Sequence, residues 1–259
     1  MRERLFVTRD LTSDVDHREP VVPEVMGAAP VTLSLVLWAA FFWVGGSLLI
    51  GVASAVLRDS WTDRILMVLG LIGLSMPVFW LGAVVTLFTQ SRWHDTWMLS
   101  WVPSLGYVPF SQNPWGWAKA LFLPSLTLAS SFIGLYARVL RAELLGAMGE
   151  DSIRTARAKG AGPVRVWLWH GLRLSWLSYV SLFGLDFAQL LGGGALLTEV
   201  VFALPGVGRL TYQGLATLDL PLIMATVMYS AIFVVVANAL IDGIYTLLDP
   251  RIAGGRNAR

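Results

Sequence analysis

Five apolar stretches recur along this 259-residue chain, each longer than most core elements of a soluble domain. They run over Val31–Leu57, Ile65–Thr89, Leu121–Leu140, Leu174–Leu197 and Ile223–Leu248. A helix of about 20 residues crosses about 30 Å of hydrocarbon, so every stretch can span a bilayer. The runs are continuous and do not alternate between apolar and polar residues, which argues against a membrane β-barrel. The expected fold class is an all-α integral membrane protein, a polytopic helical bundle with five spans. Composition agrees. Only 14% of residues are charged, against about 25% in a typical soluble domain, and the mean hydropathy is +0.65.

Lys and Arg set the orientation. One set of loops gathers Arg58 and Arg64, the run from Arg138 to Arg173, and Arg251, Arg256 and Arg259. The other holds Arg92, Lys119 and Arg209, plus Arg2, Arg4, Arg9 and Arg18 of the N-terminal tail. The richer set is assigned to the cytoplasm. That puts the C-terminus inside and residues 1–30 outside, as a polar extracytoplasmic tail without the pattern of a signal peptide. Residues 31–259 then form the transmembrane domain, with a cytoplasmic loop at 141–173. The net charge of +2 and pI near 9.1 reflect this topology and not nucleic-acid binding. With no cysteine, disulfides and thiolate metal sites are excluded, and His17, His94 and His170 lie in separate segments without ligand spacing.

Within the spans, Pro77 and Pro124 are expected to kink or begin helices. Gly192-Gly193-Gly194 loosens the outer end of the fourth span, for close helix packing or for a hinge, with packing favoured. The outer loop from Gln90 to Lys119 carries Trp93, Trp97, Trp101, Tyr107, Trp115 and Trp117. Such rings favour the headgroup level, so an interfacial belt is favoured over substrate contact. Asp186 is the only acid near the centre of a span. A charge there costs about 2.5–3.5 kcal/mol on insertion scales. It faces the translocation path, pairs across a subunit interface, or is protonated. Glu199 and Asp242 lie nearer span ends, where water is close and a structural role is favoured.

The longest cytoplasmic loop is the most informative. In Glu150–Pro163, acidic residues come first and basic ones follow, which suits the helix dipole. Glu150 and Arg154 stand at i and i+4 in the favourable order. Gly160, Gly162 and Pro163 then stop the helix. The expected product is a short exposed helix at the inner membrane face. Three readings are open: a solvated connector, a basic helix lying on anionic lipid, or a docking surface. Ala156, Ala158 and Gly160 favour docking, because small residues let another surface approach.

The stretch Arg154-Thr155-Ala156-Arg157-Ala158-Lys159-Gly160 resembles the "EAA" loop of ABC-importer permeases, in the variant of dipeptide and oligopeptide permeases. Arg154 and Thr155 replace the first two residues of that pattern, while Ala156 and Gly160 match it. Further stretches resemble the B-type subunit of the same family. They are Leu74–Gly82, Leu123–Leu128, Tyr136-Ala137-Arg138, Glu199–Phe202 with Pro205-Gly206-Val207-Gly208-Arg209, and Leu247-Leu248-Asp249-Pro250-Arg251. The resemblance runs from about Arg18 to Arg251. It implies a MetI-like permease fold. Six spans are typical of that family, so it also implies that this sequence lacks the first.

The resemblance further implies that Arg154–Gly160 form the coupling helix docked on an ATPase. The implied partners are a homologous C-type permease subunit, two ATP-binding-cassette ATPase subunits or domains, an extracytoplasmic substrate-binding protein, and peptide cargo in a bacterial or archaeal cytoplasmic membrane. No P-loop is present, since neither Lys119 nor Lys159 stands in Gly-x-x-x-x-Gly-Lys-Ser/Thr. ATP and magnesium are therefore expected on the partner ATPase, with no cofactor and no enzymatic step in this chain. A related permease for nickel, glutathione or another small solute is the alternative, followed by an ion-coupled secondary transporter and a channel.

Overall fold

The computed structural model describes residues 20–90 and 105–248; nothing is described for the side chains of Leu177 and 244–248. Trp93, Trp97, Trp101, His17, His94 and the Asp249-Pro250-Arg251 stretch lie outside the described residues. Among the described residues the regular elements are all helical: α1 Val21–Val56, α2 Trp61–Ser75, α3 Val78–Gln90, α4 Pro114–Ala147, α5 Asp151–Ala158, α6 Pro163–Arg165, α7 Leu172–Gln189, α8 Leu196–Val201, α9 Val207–Thr217 and α10 Leu220–Leu248. Two π-helical turns, Val166–Gly171 and Leu190–Gly194, flank α7. Three helices alone are long and apolar enough to cross a membrane, and two bent pairs raise the number to five if each pair is one span.

Three local features bear on the expectations, and the break at Pro77 meets its own. Helix α1 starts at Val21, not Val31, so residues 21–30 are helical. Tertiary packing supplies the reason: Val21, Val25 and Ala28, spaced at helical intervals, are buried with Val207 and Leu210 of α9 and Leu222 and Ala225 of α10. The second apolar stretch is two helices, α2 and α3, bent by 99° at the break. Pro77 has no N–H to give the Gly73 carbonyl, and the Ser131 hydroxyl of α4 donates to that carbonyl instead, at 3.2 Å. Pro124 lies inside α4 and does not begin it.

The chain forms two compact units. Among the described residues the first takes 20–39, 77–90, 105–128 and Phe187–Ala237. Within it the Ser125 hydroxyl donates to the Leu35 carbonyl at 3.3 Å, and Trp117 packs against Trp38 and Phe110. Gly192 faces Val234 so closely that a Cβ there would stand 2.6 Å from it, as close packing requires. Its neighbour Gly193 takes φ 127°, a conformation that ends the helical run.

Among the described residues the second unit comprises Ala40–Met76, Ala129–Asp186 and 238–248. Its centre is aromatic. Trp43 stacks on Phe132 at 4.4 Å and meets Tyr136 edge-on at 4.6 Å. Tyr136 in turn meets Tyr179 at 5.3 Å, and the Tyr179 hydroxyl bonds the Ser47 hydroxyl at 2.6 Å. Such pairs tie α1, α4 and α7 by ring geometry as well as burial.

Candidate functional site

Helix α5 has eight residues, and its two faces are unlike. Ile153 and Ala156 are buried, three residues apart on the inner face, whereas Arg154, Thr155, Arg157, Ala158, Lys159 and Gly160 are exposed. Ala156 thus packs within the chain, and the small residues expected to share one docking face divide between two. Glu150 caps the helix with extended backbone (φ −68°, ψ 146°), off the helical row. Arg154 therefore pairs with Asp151 at 3.4 Å and not with Glu150. The C-terminus closes in a Schellman motif: Ala161 N–H donates to the Ala156 carbonyl at 3.1 Å and Gly160 N–H to the Arg157 carbonyl at 2.9 Å. This places Gly160 at φ 82°, where a side chain has room but a strained backbone.

The helix packs against the π-helical turn Val166–Gly171 and reaches back to the turn that follows α4. The Arg157 guanidinium reaches Met148 Sδ at 3.6 Å. Two turns before the end of α4, Arg141 grips Asp63 through Nε at 2.9 Å and Nη2 at 2.6 Å. The same carboxylate accepts the Ser54 hydroxyl and the Asp59 N–H, so one buried acid ties α1, α2 and α4. Neither Asp63 nor Arg141 stood out in the sequence as a partner. A bidentate pair needs two residues 78 positions apart, and no local pattern announces it.

Asp186 is half-buried on α7, and its Oδ2 accepts the Tyr136 hydroxyl of α4 at 2.6 Å. Tyr136 itself is fully buried.

In the first unit, Glu199 departs from the water-accessible position expected: it has no solvent exposure. Its carboxyl accepts the Thr32 hydroxyl at 2.6 Å and Arg209 N–H at 3.1 Å, and a further bond comes from Gly208 N–H. Thr32 Oγ1 accepts Val207 N–H at 2.9 Å. The first turn of α9 is thereby capped from α1 and α8. A side chain at Gly206 would collide with the Glu199 carboxyl, which explains why glycine stands there. Burial raises the Glu199 pKa, and the bonds from Thr32, Arg209 and Gly208 offset part of the rise. Glu199 lies beyond the apolar spans, in α8. Asp242 is exposed.

Residues 47–254 match the family described as "Binding-protein-dependent transport system inner membrane component". The chain belongs to this family. As a permease of this type it is 40% identical over 235 residues to a putative peptide transport system permease protein of Brucella abortus, covering 90% of this chain and 72% of that one. It is 32% identical over 261 residues to the dipeptide transport system permease protein DppB of Haemophilus influenzae, covering 94% and 77%. It is 35% identical over 247 residues to the glutathione transport system permease protein GsiC of Pectobacterium atrosepticum, covering 94% and 74%. A chain of the inward-facing MetNI methionine ABC transporter superposes with a TM-score of 0.67 at 20% identity, covering 89% of this chain and 99% of that one. The permease fold expected from sequence is the fold observed.

Proposed function

We propose that this permease moves peptides into the cell as a transmembrane subunit of an ATP-driven importer. The observation that carries the cargo is the 40% identity, over 90% of the chain, to a protein named for peptide transport. The DppB relative bears a dipeptide name, and glutathione, cargo of the GsiC relative by name, is itself a small peptide. A homologous C-type permease subunit completes the pathway, two ATPase subunits or domains bind ATP and magnesium beneath it, and an extracytoplasmic binding protein delivers cargo. The positive-inside bias favours a cytoplasmic C-terminus and cytoplasmic loop 141–173.

The Arg154–Gly160 stretch is the coupling helix in this reading. Its exposed cations and its packing against the π-helical turn Val166–Gly171, which leads into α7, suit a surface that passes ATPase closure into the bundle. The test is co-expression with the neighbouring ATPase, permease and binding-protein genes, and reconstitution in vesicles. ATP-dependent, vanadate-sensitive uptake of labelled di- and tripeptides is expected, above that of nickel. Uptake driven by an ion gradient without ATP refutes the reading.

A further inference from the structure

Asp186 is an acid in mid-span with no ion-pair partner among the described residues. Its carboxyl is held in place. Tyr136 donates to Oδ2 at 2.6 Å, and the Tyr136 ring is itself wedged edge-on against Trp43 and Tyr179. The acid remains partly exposed at the border of the open face of α7. Ser178, Leu182 and Leu185 mark that face at i, i+4 and i+7, and Ser181 and Asp186 flank it. Leu182 and Leu185 are exposed like the apolar side chains of α10 from Val227 to Val236, but α7 adds to them an exposed Ser178 and a partly exposed acid, and an acid suits a surface that meets polar groups.

We infer that Asp186, positioned by Tyr136, binds the charged amino terminus of a peptide in transit. This rests on the importer reading. The chemistry fits. An ammonium is a compact cation with three donors, and a carboxylate with one oxygen engaged by a neutral hydroxyl keeps acceptor sites for charge-assisted bonds. Every unmodified linear peptide carries that group whatever its side chains. One carboxylate therefore recognises the cargo class without reading sequence.

The test uses the assembled complex of both permeases and the ATPases, purified without binding protein, and one labelled tripeptide with its amino terminus free or acetylated. Wild type is expected to bind the free form at least about tenfold more tightly than the acetylated form, the scale of a hydrogen bond to a charged group. Asp186→Asn removes that difference, and Tyr136→Phe, which keeps the acid, reduces it. Equal affinity of Asp186→Asn and wild type for the free peptide overturns the site. So does failure of Asp186→Asn to assemble while Asp186→Glu assembles, since the acid then pairs with a cation of the second permease. Uptake assays with binding protein separate the two readings. Uptake by Asp186→Asn with unchanged KM leaves the importer standing without this site, and no ATP-dependent uptake by wild type removes the importer itself.

Discussion

Arg141 holds Asp63 in a two-pronged grip, Nε at 2.9 Å and Nη2 at 2.6 Å, with the Asp63 side chain only 5% exposed. The pair joins the first turn of α2 to α4, the helix that leads to α5. Breaking it from one side leaves a buried charge without a partner, which costs about 3–5 kcal/mol in known cases. Asp63→Asn and Arg141→Met should each lower the midpoint of thermal unfolding in detergent. The double variant should lose less than the sum, because the second change removes the orphan left by the first. Additive losses in the double-mutant cycle would show that the two side chains act independently.

Gly160 separates backbone strain from bulk. At φ 82° any L-residue is strained by about 1–2 kcal/mol, yet open space surrounds an added Cβ. Gly160→Ala should fray the end of α5 and weaken ATPase association modestly. Gly160→Trp carries the same strain plus a ring on the exposed face, and should abolish association and transport while the chain still inserts. Pull-down of the ATPase with each variant is the measurement. Equal recovery with Trp and with wild type removes α5 from the contact.

Glu199 makes stability depend on pH. Burial raises its pKa in the folded chain, so the folded state keeps a proton that the unfolded state releases. Its contribution is present below the ordinary carboxylate range and is lost as pH rises from that range to the raised value. Glu199→Gln cannot ionise and should flatten this part of the profile. Glu199→Ala leaves Thr32 and the N–H groups of α9 without their acceptor, at about 1–3 kcal/mol. Unfolding midpoints measured in a pH series that starts below the ordinary carboxylate range and rises through neutrality decide the matter. An identical slope in wild type and Glu199→Gln assigns the pH dependence to another group.

The chain contains no cysteine, so a single one reports its own surroundings. Asp186→Cys in the assembled complex should react with a small, water-soluble thiol reagent, because the acid it replaces is partly exposed and an acid against acyl chains is costly. Free peptide at saturating concentration should slow the reaction. Protection from the aqueous reagent together with labelling by a lipid-phase probe would place the position against the bilayer.

Much of the candidate site was legible one residue at a time. Asp186 was conspicuous because a mid-span acid is costly in any context, and Arg154–Gly160 because charge order and terminal glycines write a short helix locally. The Glu199–Phe202 and Pro205–Arg209 stretches were visible as motifs, but their purpose was not. Glu199 and Gly206 matter to each other because the glycine makes room for the carboxyl. The split of Ala156 from Ala158 and Gly160 was hidden for a similar reason: which side of an eight-residue helix faces inward depends on what packs beneath it.

By itself the sequence determined that the chain is helical and roughly where its apolar spans fall. These follow from properties of single segments, namely apolar length and the need to satisfy every backbone hydrogen bond internally. Tertiary structure alone decided that α1 begins at Val21, that Ser131 serves the carbonyl freed by Pro77, and that Tyr136, Arg141 and Thr32 are the partners of Asp186, Asp63 and Glu199. A polar group buried in a helical bundle is stable only with a partner on another helix. That partner is chosen by the packing of helices far apart in the chain, where no local periodicity reaches.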